Sequence, residues 1–363
     1  MITASTLTRQ PRLAGTVELP AEAGDSWQRE LAHAISDPRE LLRLLDLDPQ
    51  PGDTERALAA SDFALRVPRG FVRRMRRGDP RDPLLLQVLP GARELLATAG
   101  FGGDPLDERA ALRAPGLLHK YHGRALLIST AACAVHCRYC FRRDFPYEAA
   151  AEDGRWRAAL AVIAADASIE EVILSGGDPL SLSDARLTQL TDALRAVPHL
   201  RRLRLHTRTP IVLPERVDAG FTRWLASLPW PIAIVLHGNH GNEIDNSVRA
   251  AAQRMRSAGA TLLNQSVLLA GINDSVEALE ALSHALWSAQ VLPYYLHLLD
   301  RVRGSAHFEV DQARACALMD ALAARLPGYL LPRLVRERAG APSKTVVSSG
   351  AWDTDHSPRR VEC

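Results

Sequence analysis

From about residue 124 onward the chain alternates between two hydrophobic patterns. Short apolar runs (RALLIST, EEVILSG, LRRLRLHT, PIAIVLHG, ATLLNQSVLLAG and LPYYLHLLD) are separated by longer stretches with apolar residues three and four apart, such as WRAALAVIAADA, DARLTQLTDALRAV, SVRAAAQRMRSAG and SVEALEALSHALWSAQ. The first pattern predicts strands and the second amphipathic helices. Six such units in succession predict an α/β fold, a parallel sheet curled into a partial (βα)6 TIM-type barrel over 116–333, because right-handed crossovers wind repeated βα units one way. The N-terminal stretch reads differently. SWQRELAHAI, PRELLRLLDL, RALAASDFALRV, GFVRRMRRG and GARELLATAG carry helical spacing between Pro- and Gly-containing loops, which predicts an N-terminal helical accessory region over 1–115. A last apolar run, GYLLPRLV, opens a C-terminal segment, 334–363, whose end AWDTDHSPRRVEC reads as a poorly ordered polar tail.

In barrels of this kind, reactive groups gather at the C-terminal ends of the strands. RALLIST runs into a cysteine cluster, EEVILS into GGDP, PIAIVLHG into an Asn-His pair and YYLHLL into Asp300, so the polar residues fall where that rule puts them.

Composition narrows the class. The 363 residues are 47% hydrophobic and 24% charged, an ordinary globular balance, and 44 basic against 42 acidic side chains leave a net +2 that calls for no polyanionic partner. Arg73, Arg74, Arg76 and Arg77 read as a solvated helix face rather than a nucleic-acid site. No uninterrupted apolar run of about 18 residues occurs, and the opening MITASTLTRQPRLAG has no apolar segment, so the expectation is a cytoplasmic protein without membrane contact. Of five cysteines, Cys133, Cys137 and Cys140 crowd into eight residues while Cys316 and Cys363 stand apart, which is the distribution of a metal site in a reducing compartment rather than of a disulfide framework.

Thiolates are soft ligands, open to zinc, copper(I) or an iron–sulfur cluster. A closed structural zinc site takes four ligands, commonly from two knuckles, and no second knuckle is present. An iron–sulfur cube held by three cysteines keeps one iron free of protein ligands. The CAVHCRYC spacing matches the CxxxCxxC loop of the radical S-adenosylmethionine (SAM) superfamily, in which the amino and carboxylate groups of SAM chelate that iron of a [4Fe–4S] cluster. Ser175-Gly176-Gly177-Asp178 follows the second run, where the superfamily's Gly-Gly segment meets the SAM amino group; taken alone, a Gly-Gly pair is more often only a turn. The chain has just two lysines, Lys120 and Lys344, among many arginines. Lys344 sits in the small-residue loop GAPSKT, and a lysine kept where arginine is the rule points to Schiff-base chemistry, against the alternative of a surface lysine.

Between Lys120 and Thr345, CAVHCRYCFRRDFPY, VILSGGDPLSLSD, RTPIVLPERV, LHGNHGNEI, LLNQSVLLAGIND, PYYLHLLD and APSKT follow one another in an order that resembles the lysine 2,3-aminomutases, and the PSKT ending resembles the short bacterial branch that makes β-lysine for translation elongation factor P. The resemblance implies a reaction and a set of roles. An isomerase would move the α-amino group of lysine to the β-carbon by radical hydrogen abstraction, amino migration and hydrogen return, with SAM on the cluster and pyridoxal 5′-phosphate (PLP) on the amino group. Cys133, Cys137 and Cys140 match the cluster ligands, and Lys344 matches the PLP lysine. Lys120, Tyr121 and Arg124 match a segment that cradles PLP, with Asn264 and Gln265 matching polar residues near it. Arg142 matches the arginine that holds the substrate carboxylate, while Asp300 and Glu337 match the two carboxylates on the distal ammonium, Glu337 standing where the longer enzymes have aspartate. Implied partners are lysine, elongation factor P with its lysyl ligase, and an electron donor such as flavodoxin or ferredoxin. Competing readings are a lysyl group already attached to elongation factor P as substrate, a radical SAM aminomutase for another amino acid, and a non-enzymatic iron–sulfur or zinc module.

Overall fold

The computed structural model describes residues 27–48, 63–147 and 155–349. Ten strands form one sheet in sequence order: β1 (Leu112–Ala114), β2 (Leu117–Tyr121), β3 (Arg124–Thr130), β4 (Glu171–Gly176), β5 (Arg202–Thr207), β6 (Ile232–Leu236), β7 (Ala260–Val267), β8 (Leu292–His297), β9 (Arg333–Arg336) and β10 (Thr345–Val346). β3 to β9 are parallel, whereas β1–β2–β3 and β9–β10 are antiparallel hairpin-like flanks. The six expected runs became β3 to β8, and GYLLPRLV supplied β9, one further parallel strand. The two flanks curl toward each other, since Lys120 Nζ on β2 reaches Glu337 Oε1 just past β9 at 3.1 Å. This is a partial barrel of the TIM type.

Helices Arg155–Ala165, Asp184–Arg195, Ala219–Ala226, Asn246–Ser257, Val276–Ser288 and Gln312–Ala323 fill the crossovers. Five of them begin where a side-chain oxygen can take an orphan backbone N–H: Ser183 accepts from Arg186, Asp218 from Phe221, Asp245 from Val248, Ser275 from Ala278 and Asp311 from Arg314. β4 is buried along its whole length, as a central parallel strand covered on both faces must be. Its Leu174 joins Leu205, Ile234 and Leu262 from neighbouring strands and Leu190, Phe221 and Met255 from the helices in the main core.

The described part of the N-terminal region is less helical than its spacing predicts. Trp27–Ala32, Pro38–Leu44 and Arg69–Val72 are helices of four to seven residues, and GARELLATAG yields only a 3-10 turn, Ala92–Leu95. The cause lies in tertiary contacts: Glu94, the residue that would continue a helical face there, turns inward to pair with Arg138 and Arg143 of the cysteine loop. Most of RALAASDFALRV and the polar tail lie outside the described residues. The region's apolar side chains form a second core, in which Trp27, Leu41, Leu65, Phe71, Met75 and Leu85 pack on Ala134 and Val135 and on Val212 and Leu213 after β5. It therefore backs the cysteine loop. Among the described residues no helix is long and apolar enough to cross a membrane.

Phe71 is fully buried in this second core. Phe71→Ala is expected to cost about 3–5 kcal/mol of stability in urea unfolding and to speed alkylation of the Cys137 thiol, which packs against the same core.

Candidate active site at the strand ends

The cysteine loop leaves β3 at Thr130 and is clasped by the end of β4. Gly177 N–H donates to Thr130 O at 2.7 Å and Asp178 N–H to Ala132 O at 2.8 Å. Both glycines are required by this close approach: a Cβ on Gly176 would stand 2.5 Å from Thr130 O, and one on Gly177 would stand 2.4 Å from Ala132 O. Gly176 also has φ +123°, outside the range favoured by L side chains. The side chain of Asp178 is spent within the protein. Its carboxylate accepts from Leu180 N, Thr207 Oγ1, Arg208 N and Thr209 N at 2.7–3.0 Å, so it ties β4 to the end of β5 rather than facing outward.

Arg208, held in this way, places Nη1 3.1 Å from Cys137 Sγ. Its Nη2 meets Gln87 Oε1 at 2.7 Å and Glu243 Oε2 at 3.2 Å, and Asn239 donates to the same Gln87 oxygen at 2.9 Å. The LHGNHGNEI motif thus supplies the scaffold for an arginine beside a cluster cysteine. Burial and the neighbouring Cys137 push the Cys140 thiol up to about 11, and burial raises Cys133 as well. Among the described residues, no three His, Cys, Asp or Glu side chains are placed to share one metal ion. Three soft donors beside a cation fit a cube, whose cysteines bind different irons, better than a single zinc ion.

A second set of residues is linked by charge. Arg142 pairs with Glu108 through Nε at 2.7 Å and Nη2 at 2.8 Å, and its Nη1 donates to Ser175 Oγ at 3.1 Å. Glu108 lies 3.3 Å from Lys120, Lys120 lies 3.1 Å from Glu337, and Glu337 accepts from Lys344 at 2.7 Å. Burial pushes Glu337 upward, but the Lys344 and Lys120 ammonium groups outweigh it and hold the carboxyl at about 2. Glu108 is likewise held below its ordinary value, burial being outweighed by Arg142 and Lys120. The Tyr121 phenol is raised by burial and by Glu337, and the Arg124 guanidinium lies 4.6 Å from the centre of its ring. Lys120, Tyr121, Glu337 and Lys344 therefore form one cluster.

The carboxyl of Asp300 joins the same field, with no side-chain hydrogen bond or ion pair of its own among the described residues. Burial and Glu337 raise its carboxyl to about 7, with Lys344 and Lys120 offsetting part of the effect. His206, His237 and His297 face the same interior. All three are held neutral, chiefly by burial, and His237 falls to about 3 with Arg208, Arg142 and Lys344 adding to the effect. Gln265 Nε2 meets His237 Nε2 at 2.9 Å, so it lines this interior. Asn264, one residue earlier on β7, points the other way. It donates to Gly238 O at 3.0 Å and accepts from Gly238 N at 2.8 Å, which makes it a latch between β6 and β7.

An interior of charged and neutral polar groups, at the end of a parallel partial barrel that also carries a three-cysteine loop, defines an enzyme of the α/β barrel class. The comparisons narrow this further. No protein-family model matches the chain. It is 47% identical to the L-lysine 2,3-aminomutase of Escherichia coli K12 over 92% of this chain and 97% of that one, and 46% identical to that of Haemophilus influenzae over 88% and 95%. With the L-lysine 2,3-aminomutase of Clostridium subterminale it shares 32% identity over 89% of this chain and 78% of the relative. A radical SAM methyltransferase structure from Sphaerobacter thermophilus matches loosely, with TM-score 0.40 and 18% identity over 61% of this chain and 68% of that one. The chain belongs to the L-lysine 2,3-aminomutase family. It is accordingly an isomerase that moves an amino group within lysine, and membership implies a [4Fe–4S] cluster and SAM.

Sequence reasoning did not single out Glu108, Glu94, Arg208 or the three histidines. Arg208 and His237 stand inside quoted motifs, RTPIVLPERV with its preceding strand and LHGNHGNEI, so a signal existed for them. Glu108 and Glu94 lie in segments with no motif, and only the fold brings them to the cysteine loop.

Gly177→Ala is expected to destabilise the protein by about 1–3 kcal/mol, because the clashing atoms are backbone, and to slow cluster assembly followed by absorbance. A second expectation concerns pH. Asp300 binds its proton more tightly folded than unfolded, so its favourable contribution is complete below about pH 3.8 and is lost as pH rises through about 7. In the cofactor-free protein, Asp300→Asn should therefore stabilise more at pH 8 than at pH 5, the gain growing by up to about 1.4 kcal/mol per pH unit crossed, as read from urea unfolding at the two pH values.

Proposed function

We propose that this protein converts L-α-lysine to β-lysine, with the cluster on Cys133, Cys137 and Cys140, SAM on its open iron beside the Ser175–Asp178 segment, and PLP on Lys344. The observation that carries this reading is the placement of Lys344 in a chain of ion pairs ending at Arg142, two residues beyond the last cluster cysteine. That placement supports cofactor sites and charged grips for a diamino acid within one interior.

When bound, the cluster with SAM supplies radical hydrogen abstraction, and PLP supplies the unsaturated carrier on which nitrogen moves between adjacent carbons. The chain's own residues bind and orient. Arg142 meets the α-carboxylate with the N–H groups left free by Glu108 and Ser175. Asp300 and Glu337 take the distal ammonium in a place where exclusion of water strengthens the attraction. Lys120 and Arg124 offer cations to a phosphate and Tyr121 offers an aromatic face. The described residues before 116 back the cysteine loop, those of 116–333 form the barrel, and the segment from 334 supplies Glu337 and Lys344. In this reading β-lysine passes to a separate lysyl ligase for attachment to elongation factor P, and a flavodoxin or ferredoxin in the cytoplasm supplies the electron. Free lysine is preferred over a lysyl group joined to the factor, because a carboxylate-binding arginine needs a free carboxylate.

Anaerobic incubation with SAM, dithionite, PLP and lysine, followed by product identification, tests the assignment. β-Lysine is expected, and Cys137→Ala should abolish it. Borohydride should fix PLP to the peptide carrying Lys344. A label found on Lys120 instead, unaffected by Lys344→Ala, would overturn the lysine assignment, and turnover of lysylated factor that is indifferent to Arg142→Ala would overturn the choice of free lysine.

A further inference from the structure

Arg142 has five N–H groups, and the structure accounts for three of them. Glu108 accepts from Nε at 2.7 Å and from Nη2 at 2.8 Å, and Ser175 Oγ accepts from Nη1 at 3.1 Å. Each terminal nitrogen keeps one N–H. Glu108 is 4% exposed and is itself fixed, since the Oε1 that meets Nη2 also lies 3.3 Å from Lys120 Nζ. Ser175 is fixed too, through the hydrogen bond of 2.9 Å that its carbonyl accepts from Ser129 Oγ. A guanidinium gripped along one edge by two oxygens and at a third point by a hydroxyl cannot turn about its axis, so the direction of its remaining N–H groups is set before any ligand arrives.

We propose that Glu108 is the positioning residue that aims Arg142 at the substrate α-carboxylate and makes the site selective for one such carboxylate. The selectivity follows from charge. Arg142, Lys120 and Lys344 set against Glu337 alone would leave two positive charges and accept dianions; with Glu108 in the chain the sum is one, matched by a single carboxylate. Glu108 also keeps the buried Arg142 guanidinium from being left without an anion. This inference rests on the reading that Arg142 holds the substrate carboxylate, and the test separates the two.

Equilibrium binding is measured on the reconstituted enzyme without reductant, so that no turnover occurs, for lysine and for lysinamide, which lacks the carboxylate. Glu108→Ala, Glu108→Gln and Arg142→Ala are compared, with steady-state kinetics run in parallel. Glu108→Ala should weaken lysine at least tenfold and lysinamide less than twofold, with KM changing more than kcat. Glu108→Gln, which keeps one acceptor oxygen and the shape, should fall between it and the parent, and it carries the test if the alanine variant does not fold. A lysine affinity untouched by both Glu108 variants but lost in Arg142→Ala would overturn the positioning role alone, as would equal weakening of lysine and lysinamide. Lysine affinity untouched by Arg142→Ala would overturn the carboxylate reading and this inference with it.

Discussion

Five side chains of alternating charge, Arg142, Glu108, Lys120, Glu337 and Lys344, are joined by contacts of 2.7–3.3 Å, and most of the site is attached to one of them. Taking an ion out of water costs several kcal/mol, and attraction to a neighbour offsets that only where the geometry is good. Each member therefore needs the next. The chain also closes the fold, because its members come from the segment before β1, from β2, from the cysteine loop and from the residues beyond β9, which are far apart along an open sheet. An apolar seam could have joined those flanks at lower cost. Ionic pairing instead leaves a surplus of one positive charge, three cations against two carboxylates, facing an interior with neutral histidines around it.

The cysteine loop is held by a different principle, close backbone approach on one side and buried cations on the other. Gly176 and Gly177 let β4 lie against residues 130–132, and Asp178 carries that contact on to the end of β5 and so to Arg208. From the opposite side Glu94 receives both Arg138 and Arg143, and Phe71 and its neighbours pack on Ala134 and Val135. A loop of three thiols is thus fixed by elements on both sides of it in sequence. The described N-terminal residues form short helices and turns that meet the loop at several points, where a long straight helix would present one face only.

The strands were legible because their apolar runs are short and end in turn signals, and the helices because their apolar residues recur three and four apart. The cysteine spacing and the isolated lysine stood out in the sequence because few residue types serve as soft metal ligands or Schiff-base formers. Asn264 and Gln265 show where such reading stops. Both are amides in one strand, and only the pleat decides that Gln265 meets His237 while Asn264 latches Gly238. Asp178 was read as part of a ligand-binding segment, yet its carboxylate is consumed by four donors of the protein. Glu108 could not be found from sequence at all, because a single glutamate in DPLDERAALR gains meaning only when folding sets it against Arg142.

The contrast between Asp300 and Glu337 follows from the same ionic chain. Glu337 is held at about 2 by two ammonium groups, so it is an anion at any physiological pH. Asp300, half-buried near that fixed anion and without a cation bonded to it, is held at about 7 and exchanges its proton near neutrality. One carboxylate is thus committed to charge and the other is poised. A second ammonium entering beside Asp300 would relieve the repulsion from Glu337 and draw the Asp300 proton off, so that binding of a cation and loss of that proton are linked. In the proposed reading, engagement of Lys344 by PLP would remove one of the two partners of Glu337 and leave that carboxylate to join Asp300 on the substrate's distal ammonium, so that the alternating chain would link the two ends of the site through charge.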